Sequence, residues 1–473
     1  MKSRSVDISG LHIPIRLAPG YVLFDSGEDI LLLGAFRKPI PYLIRDRDAF
    51  HGMLRSTAGL KDNETEVTLP EREASVLELL TREATLRKKD QSDPKPVDTS
   101  GRLFLNEACV EIEAGDDLQA QTQHLVRLLG SGPAVEEGGW SAVVRFVGDE
   151  PFEQLRTIET IVRTVTPHVS GMRGDRLAWE ISSPFSTLPD AALEVLPKMP
   201  RVVPVLEDRT EVEPPRCARE EQWARVEALA DRGLACPVSL VTLGEPGLAQ
   251  RAEDWTRRND GAGVRIALPW DLGLSVERWV LTEERLGVLL EELGRIAESL
   301  AGSMSLVVSE PWKSILRTAL HGSLLTNWER KARSTVFMTS NAFWARTRAH
   351  AALGLLGPSP ELNVGASDGL RWLQPGRQEL TDGPHCVGCE YAYICDRYWS
   401  PALDVLLRQG REVEARNLAD FECALRKRTL EVFLRSMRDE LRARDEQEPP
   451  AGNRMAKASY EEGVLRVELV ADE

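Results

Sequence analysis

Short apolar runs alternate with longer amphipathic stretches through the middle of the chain. Leu103 to Ile112, Ala142 to Val147, Leu177 to Ile181, Val202 to Leu206, Val238 to Leu243, Val264 to Leu268 and Leu306 to Val308 have the length and the Val, Ile and Leu content of buried strands. The stretches between them place apolar residues at helical spacing. Leu155, Ile158, Val162 and Val165 follow Pro151, a residue suited to a first helical turn, and Trp223, Val226 and Leu229 precede Gly233, a stop signal. Strand and helix in repeated alternation predict an α/β chain with a parallel sheet. About six such units exceed one mononucleotide-binding half, so a full or partial TIM-type (β/α) barrel is favoured over a doubly wound sheet.

The flanks follow other patterns. Tyr21 to Phe24 and Ile30 to Leu33 enclose Asp-Ser-Gly-Glu-Asp, whose turn chemistry predicts a hairpin. Ala49, Met53 and Leu54 mark one helix after it, and Val76, Leu77, Leu79 and Leu80 mark a second after Pro70, which together suit a small winged-helix-like module. Residues 87–101, RKKDQSDPKPVDTSG, have the charge and proline content of a solvated linker. Beyond 311 the pattern is helical and then loop-rich as far as TDGPHCVGCEYAYICDRYW. A long helix follows with Leu418, Phe421, Leu425, Phe433, Leu434 and Met437 on one side, and the tail GVLRVELV alternates like an edge strand. The expected organisation is a module at 1–86, a linker at 87–101, a barrel at 102–310, a cysteine-bearing domain with its helix at 311–445, and a tail at 446–473.

Composition narrows the partners. At ~150 residues per domain, 473 residues allow about three domains. Lys plus Arg 59 against Asp plus Glu 74 leaves a net charge of −15, which repels phosphate backbones and disfavours nucleic acid as a partner. No window holds the ~18 uninterrupted apolar residues of a membrane helix, and the first residues lack the apolar centre of a signal peptide, so a cytoplasmic chain without membrane contact is expected. Of seven cysteines, Cys109, Cys217 and Cys236 are scattered while four crowd the C-terminal region. In a reducing compartment such a group suggests a metal before a disulfide framework.

Those four are Cys386, Cys389, Cys395 and Cys423, with two, five and twenty-seven residues between them. A pair separated by two residues can close on one metal through a tight turn, here around Gly388, and two more thiolates complete four-coordination. The set suits zinc or an iron–sulfur cluster; the plainer account makes the first pair a solvent-near turn and Cys423 a core residue of its helix. His385 neighbours the first thiol and is read as a residue that supports a ligand or is incidental, ahead of a ligand itself. His51, His124, His168, His321 and His350 are dispersed, no phosphate loop, GxSxG or HExxH is present, and the tryptophans read as core anchors.

CVGCEYAYICDRYW followed by Cys423 resembles the end of a SPASM domain, the C-terminal extension of radical S-adenosylmethionine (SAM) peptide-modifying enzymes. The resemblance implies an auxiliary 4Fe–4S cluster on Cys386, Cys389, Cys395 and Cys423. It implies one such cluster only, because Trp399 stands where a ligand of a second would be. VVRFVGDEPFEQL is similar to the second strand and Gly-Gly-Glu-Pro turn of the radical SAM barrel, so Gly148, Asp149, Glu150 and Pro151 would form a vestigial cofactor-gripping turn, with Asp149 replacing the second glycine. Locally, Asp149 could instead cap the helix that Pro151 opens. LAWEISSPFSTLPDAALEVL and VVPVLEDRTEV fall where that family's third and fourth strands would.

The departure lies at LNEACVEIEAGDD. The family's SAM-cleaving cluster needs CxxxCxxC after the first strand; Cys109 matches its first cysteine, and Glu113 and Asp116 stand at the other two positions. One thiolate and two carboxylates are a poor set for a cubane cluster, so reductive SAM cleavage is not expected, and no catalytic residue is assigned. A buried structural cysteine with two exposed carboxylates is the favoured account of these three, ahead of a hard-metal site.

The N-terminal stretch LAPGYVLFDSGEDILLLGAFRKPI with its two helices resembles the winged-helix recognition elements of ribosomal peptide (RiPP) pathways, in which a leader peptide adds as a strand. A structural cap or dimerisation module is the alternative for this segment. Together these features imply a radical SAM-like, SPASM-type protein that does not cleave SAM and that binds or presents a precursor peptide to a partner modifying enzyme. Two alternatives stand: an iron–sulfur peptide maturase active with a partner, and a zinc-stabilised structural protein.

Overall fold

The computed structural model describes residues 2–18, 21–34, 41–83, 85–89, 107–113, 118–130, 142–173, 177–211, 217–258, 264–268, 270, 279–301, 309–313, 315–316, 335–338, 344–345, 389, 391, 401–447, 455–461 and 464–470. The N-terminal part contains strands β1 (Ser3–Asp7), β2 (Tyr21–Asp25), β3 (Ile30–Gly34) and β4 (Pro41–Ile44), helix α1 (Arg47–Thr57), strand β5 (Glu66–Pro70) and helix α2 (Glu71–Arg82). β2 and β3 form the expected hairpin. Asp25 Oδ1 accepts from the Gly27 amide at 2.9 Å, and Gly27 has φ 91°, a conformation open to glycine and strained for other residues. The Asp46 carboxylate caps α1, accepting from the Ala49 amide at 3.0 Å. β4 extends the hairpin to a three-stranded antiparallel sheet, and β1 pairs with β5.

The middle of the chain alternates as its pattern predicts: β6 (Glu107–Glu111), α3 (Leu118–Gly130), β7 (Ala142–Val147), α4 (Leu155–Arg173), β8 (Leu177–Ser183), α5 (Asp190–Val195), β9 (Val202–Asp208), α6 (Arg219–Ala230), β10 (Val238–Val241), α7 (Leu248–Arg258), β11 (Val264–Ala267) and α8 (Glu283–Ala301). Strands β6 to β11 lie side by side in chain order, every neighbour parallel. α6 stops where Gly233, at φ 76°, turns the chain back. The expected strand at Leu306 to Val308 lies outside the described residues, although Glu310 bridges Arg265 in parallel just after it.

Two strands of the large sheet depart from the sequence pattern. β12 (Thr335–Met338) joins the sheet parallel to β6, and β13 (Trp344–Ala345) pairs antiparallel to β12, where a helical region is expected. A four-residue apolar run is too short for periodicity to separate strand from helix. Among the described residues the chain continues with α9 (Pro401–Arg408), the long α10 (Glu412–Gln447) and a hairpin of β14 (Met455–Glu461) and β15 (Val464–Val470).

The core divides in two, and β3 belongs to both halves. Leu31 and Leu33 join the main core of Phe146, Trp179, Ile266, Leu293 and the apolar side of α10, while Ile30 and Leu32 join a second core with Phe50, Met53 and Leu77. All four are fully buried, as a strand covered on both faces requires. α10 also reaches the turn between β2 and β3, where Arg442 pairs with Glu28 and Arg438 lies 3.9 Å from Asp29.

Candidate functional site

Period-two alternation gives the large sheet one apolar and one polar face. Ala108, Val110, Val144, Phe146, Trp179 and Ile181 face the main core, so Cys109, Arg145 and Glu180 between them face the other way. Glu180 holds two arginines there. Arg145 Nε donates to its Oε2 at 2.8 Å from the neighbouring strand, and Arg265 makes a bidentate pair from β11 with both contacts at 3.0 Å. β8 and β11 are three strand spacings apart, about 14 Å in a flat sheet. Side chains standing off such a sheet meet only if it curls, so the pair sits on the concave side of a curved, barrel-like sheet. Burial pushes the Glu180 carboxyl up, but Arg145 and Arg265 outweigh it and hold the group well below the usual carboxylate range.

A second set of contacts lies at the C-terminal ends of the strands. Glu207 accepts from Ser182 Oγ and from Arg209 Nε, each at 2.7 Å, and Arg209 Nη2 reaches the Gly148 carbonyl at 3.4 Å. Glu150 Oε2 accepts from Ser183 Oγ at 3.1 Å. The turn at Gly148, Asp149, Glu150 and Pro151 is thereby tied to β8 and β9. A Cβ at Gly148 would stand 3.1 Å from the Ile112 carbonyl, a close approach. Glu150, rather than Asp149, takes the N-cap position of the short 3-10 turn that Pro151 opens, and it makes no side-chain cap bond; the Ser183 hydroxyl engages its carboxylate instead. Just beyond, Phe185 has φ 55° in a fully buried position, held by Arg225 on its carbonyl and by Gln222 on the Pro184 carbonyl at 2.9 Å.

Cys109 is half-buried rather than buried, because it occupies the polar face of β6 and not the core face. Glu113 is exposed two residues past the strand's end, and Asp116 lies outside the described residues. Of the C-terminal set, Cys386 and Cys395 also lie outside them. Cys389 is half-buried against the main core and Cys423 is half-buried on α10 between Phe421 and Leu425. Neither is in a disulfide, and four soft thiolates are a donor set that fits a cluster. Among the described residues no group of three or more His, Cys, Asp or Glu is placed to hold a metal, and no helix is long and apolar enough to cross a membrane.

Arg145, Glu180, Arg265, Glu207 and Arg209 are the residues that sequence reasoning missed. A signal existed in Val-Arg-Phe, Trp-Glu-Ile and Val-Arg-Ile, a charge in the middle of each expected strand. What each charge meets depends on register and curvature, which no run of residues displays.

No protein-family model matches this chain, and no curated protein matches it. Among solved structures it is similar to Streptococcus suis SuiB bound to precursor peptide SuiA, at 12% identity over 82% of this chain and 96% of that one, with a TM-score of 0.42. It is also similar to native anSMEcpe with bound AdoMet and a Kp18Cys peptide, at 9% identity over 67% of this chain and 99% of that one, with a TM-score of 0.45.

Proposed function

We propose that this chain binds a ribosomally made precursor peptide in the cytoplasm and presents it to a partner modifying enzyme, on a frame of radical SAM and SPASM type that does not itself cleave SAM. The observation that carries the reading is at the strand ends. The Gly148 carbonyl, on the turn that resembles the cofactor-gripping one, already receives the Arg209 guanidinium, and Cys109 stands with an exposed carboxylate at Glu113 rather than a second thiol. An arginine on that carbonyl competes with any ammonium group that would bind there. On the concave face Glu180 is held ionised between two arginines, well below the near-neutral value that an acid–base role needs.

Cys386, Cys389, Cys395 and Cys423 would hold one 4Fe–4S cluster, with zinc as the alternative occupant. When bound, such a cluster supplies one-electron chemistry. The N-terminal sheet would take the leader peptide as an added strand, since main-chain pairing tolerates sequence and neighbouring pockets select it. The test is titration of the full chain with the precursor peptide encoded beside it. Saturable binding at about micromolar strength, ~−8 kcal/mol, is expected, with sharp losses at leader positions where proline removes one amide. No saturable binding overturns the reading.

A further inference from the structure

The C-terminal hairpin lies against the sheet that would receive the peptide. β4 is the outer strand of the three-stranded sheet; it pairs with β3 on one edge, and among the described residues no ladder forms on the other. The backbone of β14 comes within 8 Å of β4. β14 and β15 pair from Met455 opposite Val470 to Glu461 opposite Val464, so the hairpin is complete and its β14 side is an edge as well. α10 delivers it there: Arg438 and Arg442 meet the turn between β2 and β3, and seven residues separate Gln447 from Met455. A two-stranded hairpin is marginal alone in water, and a bare strand edge invites pairing. The two elements thus lie close together with no ladder between them.

We infer that residues 455–470 are a displaceable occupant of the β4 edge, covering it until an incoming extended peptide takes their place. This rests on the reading that the N-terminal sheet recognises a peptide by strand addition. Its occupant is the chain's own hairpin, and its effect is to weaken peptide binding to the intact chain.

The experiment compares the full chain, a chain ending at residue 450, and full-length Ser459→Pro, which removes a ladder amide of the hairpin opposite Arg466 without removing any residue. The probe is a fluorescent synthetic peptide of residues 453–471, and the second readout is amide hydrogen exchange at Tyr42, Leu43 and Ile44. The probe is expected to bind both altered chains about tenfold more tightly than the full chain, or ~1.4 kcal/mol. The β4 amides are expected to gain protection when the probe is added to either altered chain, as its backbone pairs with the uncovered edge, and to gain less in the full chain. Equal probe binding to all three chains, or no gain of β4 protection on adding the probe to the altered chains, overturns the inference. The precursor peptide separates this from the parent reading. If it binds all three chains alike, peptide recognition stands and the resident hairpin falls; if it binds none, peptide recognition falls.

Discussion

Glu180 shows how one residue can be charged, half-buried and structural together. Its side chain is 14% exposed and its partners Arg145 and Arg265 are 22% and 21% exposed, so removing the carboxylate strands two guanidiniums in a poorly solvated place. Glu180→Gln should therefore cost on the order of 3 kcal/mol in urea unfolding at neutral pH. The pH dependence has a definite sign. Because the folded carboxyl lies below its ordinary value of 4.5, its contribution is complete above about that pH and is lost as the pH falls toward the depressed folded value. Unfolding midpoints of the unaltered protein should drop across this acid range, and the Gln variant should lack that part of the drop; parallel curves would assign the pH dependence to other groups. Gly148 is a residue of the opposite kind, valued for what it leaves out. Gly148→Ala brings a methyl to 3.1 Å from the Ile112 carbonyl and should cost about 1–3 kcal/mol in the same assay.

At the scale of elements, β3 joins parts that the sequence divides. Its residues alternate between the two cores, so Leu31→Ala opens a cavity in the main core and Leu32→Ala one in the N-terminal core, each at a cost of about 2–5 kcal/mol. Both variants should shift one common thermal transition. If the N-terminal part instead melted by itself, calorimetry of Leu32→Ala would show a separate early transition. The linker composition of residues 87–101 argues for independence, and the second face of β3 argues for union. The elements that could be read from the chain were those with a long or strict period: the hairpin around Gly27, the strand Ala142–Val147 to the residue, the helix Leu155–Arg173, and the apolar side of α10. β1, β4, β5 and β12 are four or five residues long, and their state is decided by the partner strand rather than by their own pattern.

On the scale of the whole molecule, cysteine chemistry sorts the sites by environment. The proposed set of Cys386, Cys389, Cys395 and Cys423 rests on a local spacing of the kind ligand geometry imposes, whereas the Arg145, Glu180 and Arg265 set comes from strands far apart in sequence. Cys236 makes the contrast: it is 2% exposed, and burial pushes its thiol up to about 12, which disfavours the thiolate a metal needs. Anaerobically purified protein should accordingly carry about four irons per chain. Cys389→Ala should abolish the visible absorbance, and Cys236→Ala should leave it unchanged; stoichiometric zinc without sulfide would replace the cluster by the structural alternative. The same protein bears on SAM. Cys109 has no second cysteine before Cys217, Glu113 is exposed, and Arg209 reaches the Gly148 carbonyl, so the segment that follows β6 does not itself supply three thiolates for a reducible cluster. Dithionite-reduced protein with SAM should yield no 5′-deoxyadenosine above a protein-free control. Multiple turnovers of that product, lost in Cys109→Ala, would instead mean that Glu113 and Asp116 complete an unusual ligand set, and the scaffold reading would give way to an enzyme.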